Sequence, residues 1–539
     1  MVNTFSLAVM PFLLFATLVA GAAPPEVSFF FPAGVQRGQS TKITATGEFE
    51  TWPVNVWVDR PGVEVKPTDT KGELSVTVAE DFDFGVCWLR LYDEEGATPP
   101  RPLMVGSLGE VLEAEPNDAP AKSQPLDGSV IVNGKLAKRG DVDTYSVNLE
   151  EGQTLIASLR ASNVLNAPMD AVLQITDEAG FVLMQNDDAR GLDPLIVFPV
   201  PAAGTYLVRT FAFPAKPNST IDFAGGEDYI YRLTLTTGPF LDHTMPLAVT
   251  RNQTTDVRLH GWNLTGVEVV RSISLGSAHD KLIHDFVPHD VAGMMSLPVT
   301  PHKIAVESPV DTGASPQTVE VPVVISGTLK GDRETDTYRF RAVKNQKLKI
   351  AVASHAVGFP TDPVIEVIDS SGKQLAENDD ASRTERDAQL IFTPPADGEF
   401  DVRVRDLHGR GGDRFVYQLT VEPDVPSFQL AVKPGEFILE VGKPLEIPVA
   451  VGRDSGYTKS IEITAIDLPV GVSVEPAISE GKGDTAKEVK LKLTASEDAT
   501  SGSFRIVGKA QGDEQSATTG FTLYEGSRTH SQLWLTVRP

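Results

Sequence analysis

The chain of 539 residues has almost no cysteine and comparatively little positive charge. Cys87 is its single cysteine, so no intrachain disulfide can form, and the apolar neighbours of Cys87 predict a buried side chain rather than a nucleophile. The 47 basic residues are outnumbered by 73 acidic ones, which gives a net charge of −26. Because nucleic-acid binding needs a basic face, this balance argues against a nucleic-acid partner.

Catalytic motifs are also lacking. The sequence has no Gly-x-Ser-x-Gly elbow and no His-Glu-x-x-His pair, and each Gly-Lys pair, such as Gly134-Lys135, lacks the following Ser or Thr that a phosphate-binding loop needs. A Ser/His/Asp triad has no fixed order along a chain, so motifs alone do not exclude one. The modules described below leave no segment large enough to house it, and we expect a protein that is not an enzyme.

Histidine and tryptophan are sparse. The single histidine cluster, His279, His284, His289 and His302, matches no metal-binding template, so we expect histidines scattered over loops. Tryptophans can line a sugar or peptide face, but aromatic residues in β-sandwiches more often fill cores. We therefore assign none of the five to a binding face: Trp52, Trp57, Trp88, Trp262 and Trp534.

Long apolar runs are confined to the N-terminus. Phe5–Ala20 is apolar and leads into Ala20-Gly21-Ala22, a typical signal-peptidase site, which predicts a signal peptide over 1–22. A membrane anchor is the alternative, but the run is short for a span and contains Pro11. With no later apolar run of spanning length, we expect no transmembrane segment after the signal and a secreted or cell-surface protein, periplasmic or extracellular.

What the sequence does contain is a duplication. Val27–Gly47 aligns without a gap with Leu241–Gly261, and we name these the A copies. After each A copy comes a B copy, since Pro201–Arg209 reappears as Pro395–Arg403. The chain is therefore modular, in the order A–B–A–B followed by a tail.

Short segments of alternating apolar residues, separated by turn residues, run through all modules. With 45 glycines, 39 prolines and no long helical periodicity, they predict an all-β fold of tandem β-sandwiches, jelly-roll or immunoglobulin-like. The predicted domains are 26–109 (first A), 110–238 (first B), 239–305 (second A), 306–423 (second B) and 424–539 (tail).

The B copies resemble the bacterial pre-peptidase C-terminal domain. The first carries Glu113-Ala-Glu115-Pro-Asn117-Asp118, then Gly140-Asp141-Val-Asp143-Thr-Tyr145, and later Asn186-Asp187-Asp188. The resemblance implies a β-sandwich of a kind often appended to secreted hydrolases. It also implies a fold similar to the collagen-binding domains of secreted collagenases, some of which hold calcium. The A copies resemble IPT/TIG-type immunoglobulin-like modules near Phe31–Gly38, and the tail resembles a bacterial immunoglobulin-like domain.

Oxygen-bearing side chains cluster at the start of the first B copy. Glu113, Glu115 and Asn117 are spaced by two, so an extended strand would place them on one face, and Asp118 adds a carboxylate. Asp141 and Asp143 follow Gly140 at a strand entrance. Calcium prefers six to eight oxygen ligands. If the linker folds over the Asp141 turn, these residues form a calcium site, as the resemblance also implies. The alternative is a solvated acidic linker beside an Asx turn.

The second B copy departs from this pattern. Its matching stretch, Glu307–Asp311, keeps one Glu and one Asp, and Asp332, Glu334 and Asp336 follow downstream. Fewer anionic ligands predict weaker or absent calcium binding there. The Asn-Asp-Asp motifs at 186–188 and 378–380 are predicted to hold loops through their own backbone rather than to bind metal.

These features favour a secreted, non-catalytic modular protein that binds or displays an unidentified extracellular protein or polysaccharide. In it, calcium would clamp the linker Glu110–Asp118 and fix the joint between the first two modules. One alternative is an accessory or substrate-targeting protein for a secreted peptidase or glycosidase. A second is a hydrolase with no recognisable motif.

Overall fold

The computed structural model describes residues 22–82, 85–216, 222–276, 282–308, 316–512, 515–523 and 529–539. Within them the chain forms mostly antiparallel β-sheets, and the longest helix has four residues. The predicted all-β fold of tandem β-sandwiches is confirmed. The predicted signal peptide, apart from Ala22, lies outside the described residues, and none of the described helices has the length and apolar character to cross a membrane.

The first A module forms a sandwich of eight strands: β1 (Glu26–Phe31), β2 (Gly34–Gln36), β3 (Ser40–Glu48), β4 (Asn55–Val58), β5 (Val63–Pro67), β6 (Glu73–Val78), β7 (Val86–Tyr92) and β8 (Arg101–Gly106). The two sheets have the orders β1-β3-β6-β5 and β2-β8-β7-β4. Gly47 faces a register shift in β1, where a Cβ would stand 1.9 Å from Glu26 O. Cys87 is buried in this core, as predicted.

The first B module has ten strands, one helical turn α1 (Ser162–Leu165) and a 3-10 turn (Pro120–Lys122). Its strands are β9 (Gly109–Leu112), β10 (Gln124–Leu126), β11 (Val130–Lys135), β12 (Asp143–Leu149), β13 (Thr154–Arg160), β14 (Met169–Asp177), β15 (Val182–Asn186), β16 (Leu195–Pro199), β17 (Gly204–Pro214) and β18 (Ile230–Thr236). They form two five-stranded sheets, β10-β12-β17-β14-β15 and β16-β13-β18-β11-β9.

The second A module is smaller, with strands β19 (Phe240–Met245), β20 (Val249–Thr250), β21 (Thr254–Trp262), β22 (Val270–Ser274), β23 (Ile283–Phe286) and β24 (Met295–Thr300). Two three-stranded sheets result, β19-β21-β22 and β20-β24-β23. Gly261 repeats the role of Gly47, because a Cβ there would stand 2.0 Å from Phe240 O beside the register shift in β19. The repeated glycine therefore reflects a repeated close approach of two backbones.

The second B module repeats the strand order of the first. Its strands are β25 (Lys303–Val306), β26 (Gln317–Thr318), β27 (Val323–Thr328), β28 (Thr335–Ala342), β29 (Leu348–Ala353), β30 (Pro363–Asp369), β31 (Gln374–Asn378), β32 (Gln389–Phe392), β33 (Gly398–Asp406) and β34 (Val416–Pro423), with a 3-10 turn at His355–Val357. The sheets are β25-β27-β34-β29-β32 and β26-β28-β33-β30-β31, so every strand of one B module has its counterpart in the other.

The tail forms a further sandwich from β35 (Ser427–Ala431), β36 (Glu436–Glu440), β37 (Leu445–Asp454), β38 (Ile461–Ile466), β39 (Val472–Glu475), β40 (Ala477–Ser479), β41 (Glu488–Ala495), β42 (Gly502–Ala510), β43 (Ser516–Thr518), β44 (Phe521–Thr522), β45 (Thr529–His530) and β46 (Leu533–Arg538). A four-stranded sheet, β35-β37-β41-β39, packs on a larger one, β36-β46-β42-β38-β40, to which β43 adds. Strands β44 and β45 pair separately.

The tail packs against the first A module. Arg90 is buried and donates hydrogen bonds to Thr98 O within its own module and to Gln532 O in the tail, where it also pairs with Glu436. Trp534 lies 4.5 Å from Tyr92, measured between ring centroids. The modules therefore do not form a simple linear array, since the last one contacts the first.

A second junction joins both B modules to the second A module. The buried Asp242 of β19 accepts hydrogen bonds from Arg190 of the first B module at 2.8 Å and from Arg414 of the second at 3.1 Å. Burial alone would raise the pKa of Asp242, but the hydrogen bond with His243 and the charges of the two arginines lower it below its ordinary value. One carboxylate thus ties three modules together.

Candidate metal centre

The acidic linker of the first B module reaches the sandwich as an edge strand. Strand β9 pairs in parallel with β11, and beyond its end the Glu113 backbone N–H donates to Asn133 O at 3.1 Å. The backbone N–H of Lys135 donates in turn to Glu113 Oε2 at 2.7 Å. These bonds carry the segment that follows, Ala114–Asp118, toward the turn before β12.

Three of the six predicted ligands converge at that turn. One carboxylate oxygen from each of Glu115, Asp141 and Asp143 lies within 4.8 Å of the other two. Asp141 and Asp143 are fully buried, whereas Glu115 is exposed and lies on the linker. The linker and the turn therefore bring carboxylates together from both sides.

Of the predicted residues, Asn117 gives the strongest indication of a bound cation. Its side chain is fully buried, yet neither its Oδ1 nor its Nδ2 has a hydrogen-bond partner. The outer oxygens Oδ1 of Asp141 and Asp143 are likewise buried without a hydrogen bond. A buried polar atom without a partner costs about 1–3 kcal/mol. Buried oxygens that accept no hydrogen bond, next to a cluster of three carboxylates, fit a bound cation, and the oxygen-only donor set fits calcium.

The other two predicted ligands, Glu113 and Asp118, lie beside this cluster. Glu113 interacts electrostatically with Asp143, because, in addition to burial, its charge raises the pKa of that carboxyl. Asp118 reaches the cluster through Lys138, whose ammonium lies 3.6 Å from Asp118 Oδ1 and 3.3 Å from Asp141 Oδ1. Because the side chain of Lys138 is 64% exposed, its ammonium is free to swing into solvent when another cation binds. The ammonium of Lys138 thus occupies a position at which the surrounding carboxylates favour positive charge.

The carboxyl pKa values reflect this crowding. Burial and the charge of Glu113 raise the pKa of Asp143 to about 9. Burial, together with the charges of Glu115 and Asp141, raises the pKa of Glu113 to about 7. Without a metal ion the cluster therefore holds protons at neutral pH, because clustered buried carboxylates cannot all ionise. A divalent cation would replace those protons.

A pair of tyrosines supports Asp143 from within the core. Tyr231 donates a hydrogen bond to Asp143 Oδ2, and its hydroxyl also contacts that of Tyr145 at 2.5 Å. Burial raises the pKa of both tyrosines, so they stay neutral. Gly134 makes room for the pair, since a Cβ there would stand 2.2 Å from Tyr231 Cζ. The bond to Oδ2 directs Oδ1 of Asp143 toward the cluster.

Sequence reasoning missed the tyrosine pair. The available signal was its duplication, because Asp143-Thr-Tyr145 recurs as Asp336-Thr-Tyr338 and Tyr231 has its counterpart in Tyr417. In the second B module the Tyr417 hydroxyl donates to Asp336 Oδ2 at 2.7 Å. A recurrent buried tyrosine next to a recurrent aspartate marks a supporting hydrogen bond.

The second B module also gathers carboxylates. Oxygens of Glu307, Glu334 and Asp336 lie within 4.8 Å of one another, while Asp332 is exposed and outside this group. Burial and the charge of Glu307 raise the pKa of Asp336 to about 8. Residues 309–315, which include Asp311, lie outside the described residues. Weaker calcium binding at this second cluster stays a prediction.

The remaining candidates lie away from both clusters. Asn186 Oδ1 accepts the Leu195 N–H and Asn378 Oδ1 accepts the Gln389 N–H, both at 3.0 Å, so each asparagine bridges its loop to the following strand rather than to its own local backbone. Of the histidine cluster, His279 lies outside the described residues, and no histidine joins either carboxylate group among the described ones. Trp88 and Trp534 are buried, in line with a packing role.

Comparisons with known proteins bear on the two B modules. The family model of the bacterial pre-peptidase C-terminal domain matches residues 141–212 and 334–406. Each match covers the Asp-Thr-Tyr strand and the repeat Pro201–Arg209 or its counterpart Pro395–Arg403. The chain therefore contains two pre-peptidase C-terminal domains, as their residues suggested. The IPT/TIG-like character of the A modules stays a prediction.

One curated relative matches a short part of the chain. A probable subtilase-type serine protease of Deinococcus radiodurans is 33% identical over 104 residues, which are 19% of this chain and 14% of that protein. The chain thus spans about a seventh of that relative's length.

Two solved structures are among those that the chain matches. The pre-peptidase C-terminal domain of a Bacillus anthracis collagenase is 16% identical, and the match covers 21% of this chain and 100% of that one, with a TM-score of 0.17. The four N-terminal immunoglobulin domains of Dscam1 isoform 4.4 are 11% identical, covering 96% of this chain and 98% of that one, with a TM-score of 0.18.

Proposed function

We propose that this chain, with its two pre-peptidase C-terminal domains, is a secreted, non-catalytic modular protein that binds or displays an extracellular protein or polysaccharide. Its first such domain holds a structural calcium ion. The observation that carries the calcium assignment is the buried Asn117 side chain, which has no hydrogen-bond partner although its backbone N–H donates to Glu115 Oε2 of the carboxylate cluster. A solvated acidic linker, the alternative, would not bury an asparagine without partners.

Within this proposal, each residue of the centre has a distinct role. The oxygen ligands come from Glu115, Asn117, Asp141 and Asp143. Asp118 gives up its contact with Lys138 and adds negative charge near the ion. Glu113 fixes the linker to β11 through the Lys135 N–H. When bound, calcium neutralises the clustered carboxylates and holds Glu115 and Asn117 of the linker to Asp141 and Asp143 of the turn.

The centre lies beside the joint between the first A and B modules, which supports a role in fixing that joint. The ammonium of Lys135 lies 5.4 Å from the ring centroid of Phe31 in the first A module. At the start of the linker, Glu110 pairs with the buried Arg232 and accepts a hydrogen bond from Asn133 at 2.7 Å. A linker that is held at both ends allows little relative motion of the first A and B modules. The ion would therefore make their joint more rigid rather than take part in a reaction.

A titration of the full chain tests the calcium assignment. We expect isothermal titration with calcium to detect a site that Asp141→Asn weakens strongly, because that variant removes a buried anionic ligand. The matched control is Glu334→Gln, which alters the equivalent position of the second B module and should leave this site intact. Calcium at about 100 times its Kd should also stabilise the module by ~2.7 kcal/mol. Binding that is unaffected by Asp141→Asn would contradict the assignment.

The second candidate function is that of an accessory or targeting protein for a secreted peptidase. The similarity to a probable subtilase-type serine protease over 104 residues favours it. We expect the purified chain to leave peptide, ester and glycoside substrates unchanged and to bind a polymeric substrate such as collagen or peptidoglycan in a sedimentation assay. Turnover by the purified chain would contradict both candidates and favour a hydrolase.

A further inference from the structure

A cleft of about 530 Å³ opens between the two pre-peptidase C-terminal domains, and its lining shares no residue with either carboxylate cluster. The first domain contributes the loop Asp188–Leu192, which follows its Asn-Asp-Asp motif. The second contributes two loops, His355–Asp362 and His408–Arg410, together with Arg386. The volume lies within the range of about 300–1,000 Å³ that is typical of small-ligand sites.

The walls of the cleft are held rigidly. Asp387 accepts hydrogen bonds from the backbone N–H groups of Ser354, His355 and Ala356, which fixes the start of one loop. Asp406 does the same for the other loop, accepting bonds from the backbone N–H groups of His408 and Arg410. Because these loops are already fixed, ligand binding would not cost conformational entropy for ordering them.

The two walls are also fixed relative to each other. Arg414 of the second domain donates a hydrogen bond to Ala189 O of the first at 3.1 Å, and its guanidinium also binds the shared Asp242. Phe359 lies beneath, with Arg414 stacked 5.7 Å from its ring centroid. The cleft is therefore a permanent feature of the packed modules.

Basic side chains gather at this cleft, in a chain whose net charge is −26. Two arginines and two histidines line the cleft against two aspartates, Asp188 and Asp362. His408 lies 3.4 Å from Asp362, and Arg410 is anchored by Asp406. The exposed side chains of Arg386 and His355 form no hydrogen bond or ion pair with the described residues. These two groups are available to bind an anion.

The two aspartates of the cleft restrict which anions can bind there. A simple inorganic anion would face the carboxylates of Asp188 and Asp362, whereas a ligand that carries hydroxyl groups beside its acid group would donate hydrogen bonds to them. The lining offers only Leu192, Ala189 and Pro360 as apolar contacts besides the buried Phe359, so there is no pocket for a large apolar side chain.

We propose that this cleft binds an acidic sugar, with the carboxylate of a uronate unit held by Arg386 and His355 and its hydroxyl groups by Asp188 and Asp362. A charge-assisted pair between guanidinium and carboxylate is the strongest interaction available to such a ligand. The proposal does not depend on calcium, because the cleft shares no residue with either carboxylate cluster.

The test is isothermal titration of the full chain in the presence of a chelator, so that neither calcium cluster contributes to the signal. Digalacturonate is the probe, and maltose and diglycine are the neutral and zwitterionic comparisons. We expect saturable binding of one digalacturonate per chain, with the two comparisons each bound at least about tenfold more weakly. Maltose lacks the carboxylate that pairs with Arg386, and diglycine lacks the hydroxyl groups that donate to Asp188 and Asp362.

The matched variants are Arg386→Ala, which removes the free guanidinium, and Arg383→Ala, which removes an exposed arginine on the same loop outside the cleft. We expect about a tenfold loss of digalacturonate affinity for the first and none for the second. Equal affinity for maltose, tighter binding of diglycine, absence of saturable digalacturonate binding, or equal effects of the two variants would each overturn the proposal. None of these results would bear on calcium binding at Asp141.

Discussion

Tyr231 donates a hydrogen bond to Asp143 across the core of the first pre-peptidase C-terminal domain, and both side chains are fully buried. The bond occupies one oxygen of the carboxylate and leaves the other, Oδ1, facing Asp141 and Glu115 without a hydrogen bond. The same arrangement recurs between Tyr417 and Asp336. A buried tyrosine that donates a hydrogen bond to an aspartate is therefore a shared feature of both carboxylate clusters.

Removing that hydroxyl should weaken calcium binding. In Tyr231→Phe the ring still packs, but Asp143 loses the bond that orients it, and loss of such a supporting contact typically costs 10–100-fold in metal affinity. Calcium titration of the full chain measures the change. Tyr417→Phe is the control, because it makes the same substitution in the second domain. Equal effects of both variants would refute a specific role for Tyr231.

Calcium binding should release protons. The pKa values of Asp143, about 9, and Glu113, about 7, imply that both carboxyls are largely or partly protonated at neutral pH without metal. A metal ligand must be deprotonated, so calcium affinity should rise as the pH increases from 6.5 to 9. Titration in two buffers with different ionisation enthalpies checks this. An identical apparent enthalpy in both buffers would show that no proton is released.

The same carboxyls should make stability depend on pH when calcium is absent. Their pKa values are raised in the folded chain, so the folded state binds more protons than the unfolded state once the pH exceeds the ordinary carboxyl values near 4. Their stabilising contribution is then lost as the pH rises through about 7 for Glu113, 8 for Asp336 and 9 for Asp143. We expect the unfolding temperature in chelator to fall between pH 5 and 9.

The control for that experiment is the double variant Asp143→Asn, Asp336→Asn, which has no titrating group at either position. Its unfolding temperature should vary less over the same pH range. A steeper decline in the variant than in the parent chain would contradict the assignment of the effect to these two carboxyls. Excess calcium should flatten the profile of the parent chain, because bound metal replaces the protons.

Asp242→Asn should loosen the junction of three modules. The variant leaves the buried Arg190 without its carboxylate and deprives Arg414 of the same partner. Breaking a buried ion pair by removing one partner costs ~3–5 kcal/mol. Calorimetry should show the second A module unfolding at a lower temperature, with both B modules affected. Asp256→Asn, an exposed position on β21 of the same module, should change the profile little. Similar profiles for the two variants would argue against the junction.

Much of the fold followed from the sequence, because local patterns determine strands. The alternation of apolar residues predicted the sandwiches, the repeats predicted equivalent modules, and Gly47 and Gly261 proved to occupy the same close backbone approach. Residue type and spacing also predicted Glu115, Asn117, Asp141 and Asp143 as candidate ligands, and the structure brings carboxylate oxygens of three of them, Glu115, Asp141 and Asp143, together. An extended segment with side chains on alternate faces needs no tertiary information to place them.

Only the tertiary structure decided how the modules meet. No pattern in Val86–Tyr92 indicates that Arg90 pairs with Glu436 of the tail, and nothing near Asp242 indicates that it binds arginines from two other modules. The cleft between Arg386 and Asp188 was equally hidden, since its walls lie in different domains. Strands form from neighbouring residues, whereas a junction depends on the fit between finished surfaces whose residues are far apart in the chain.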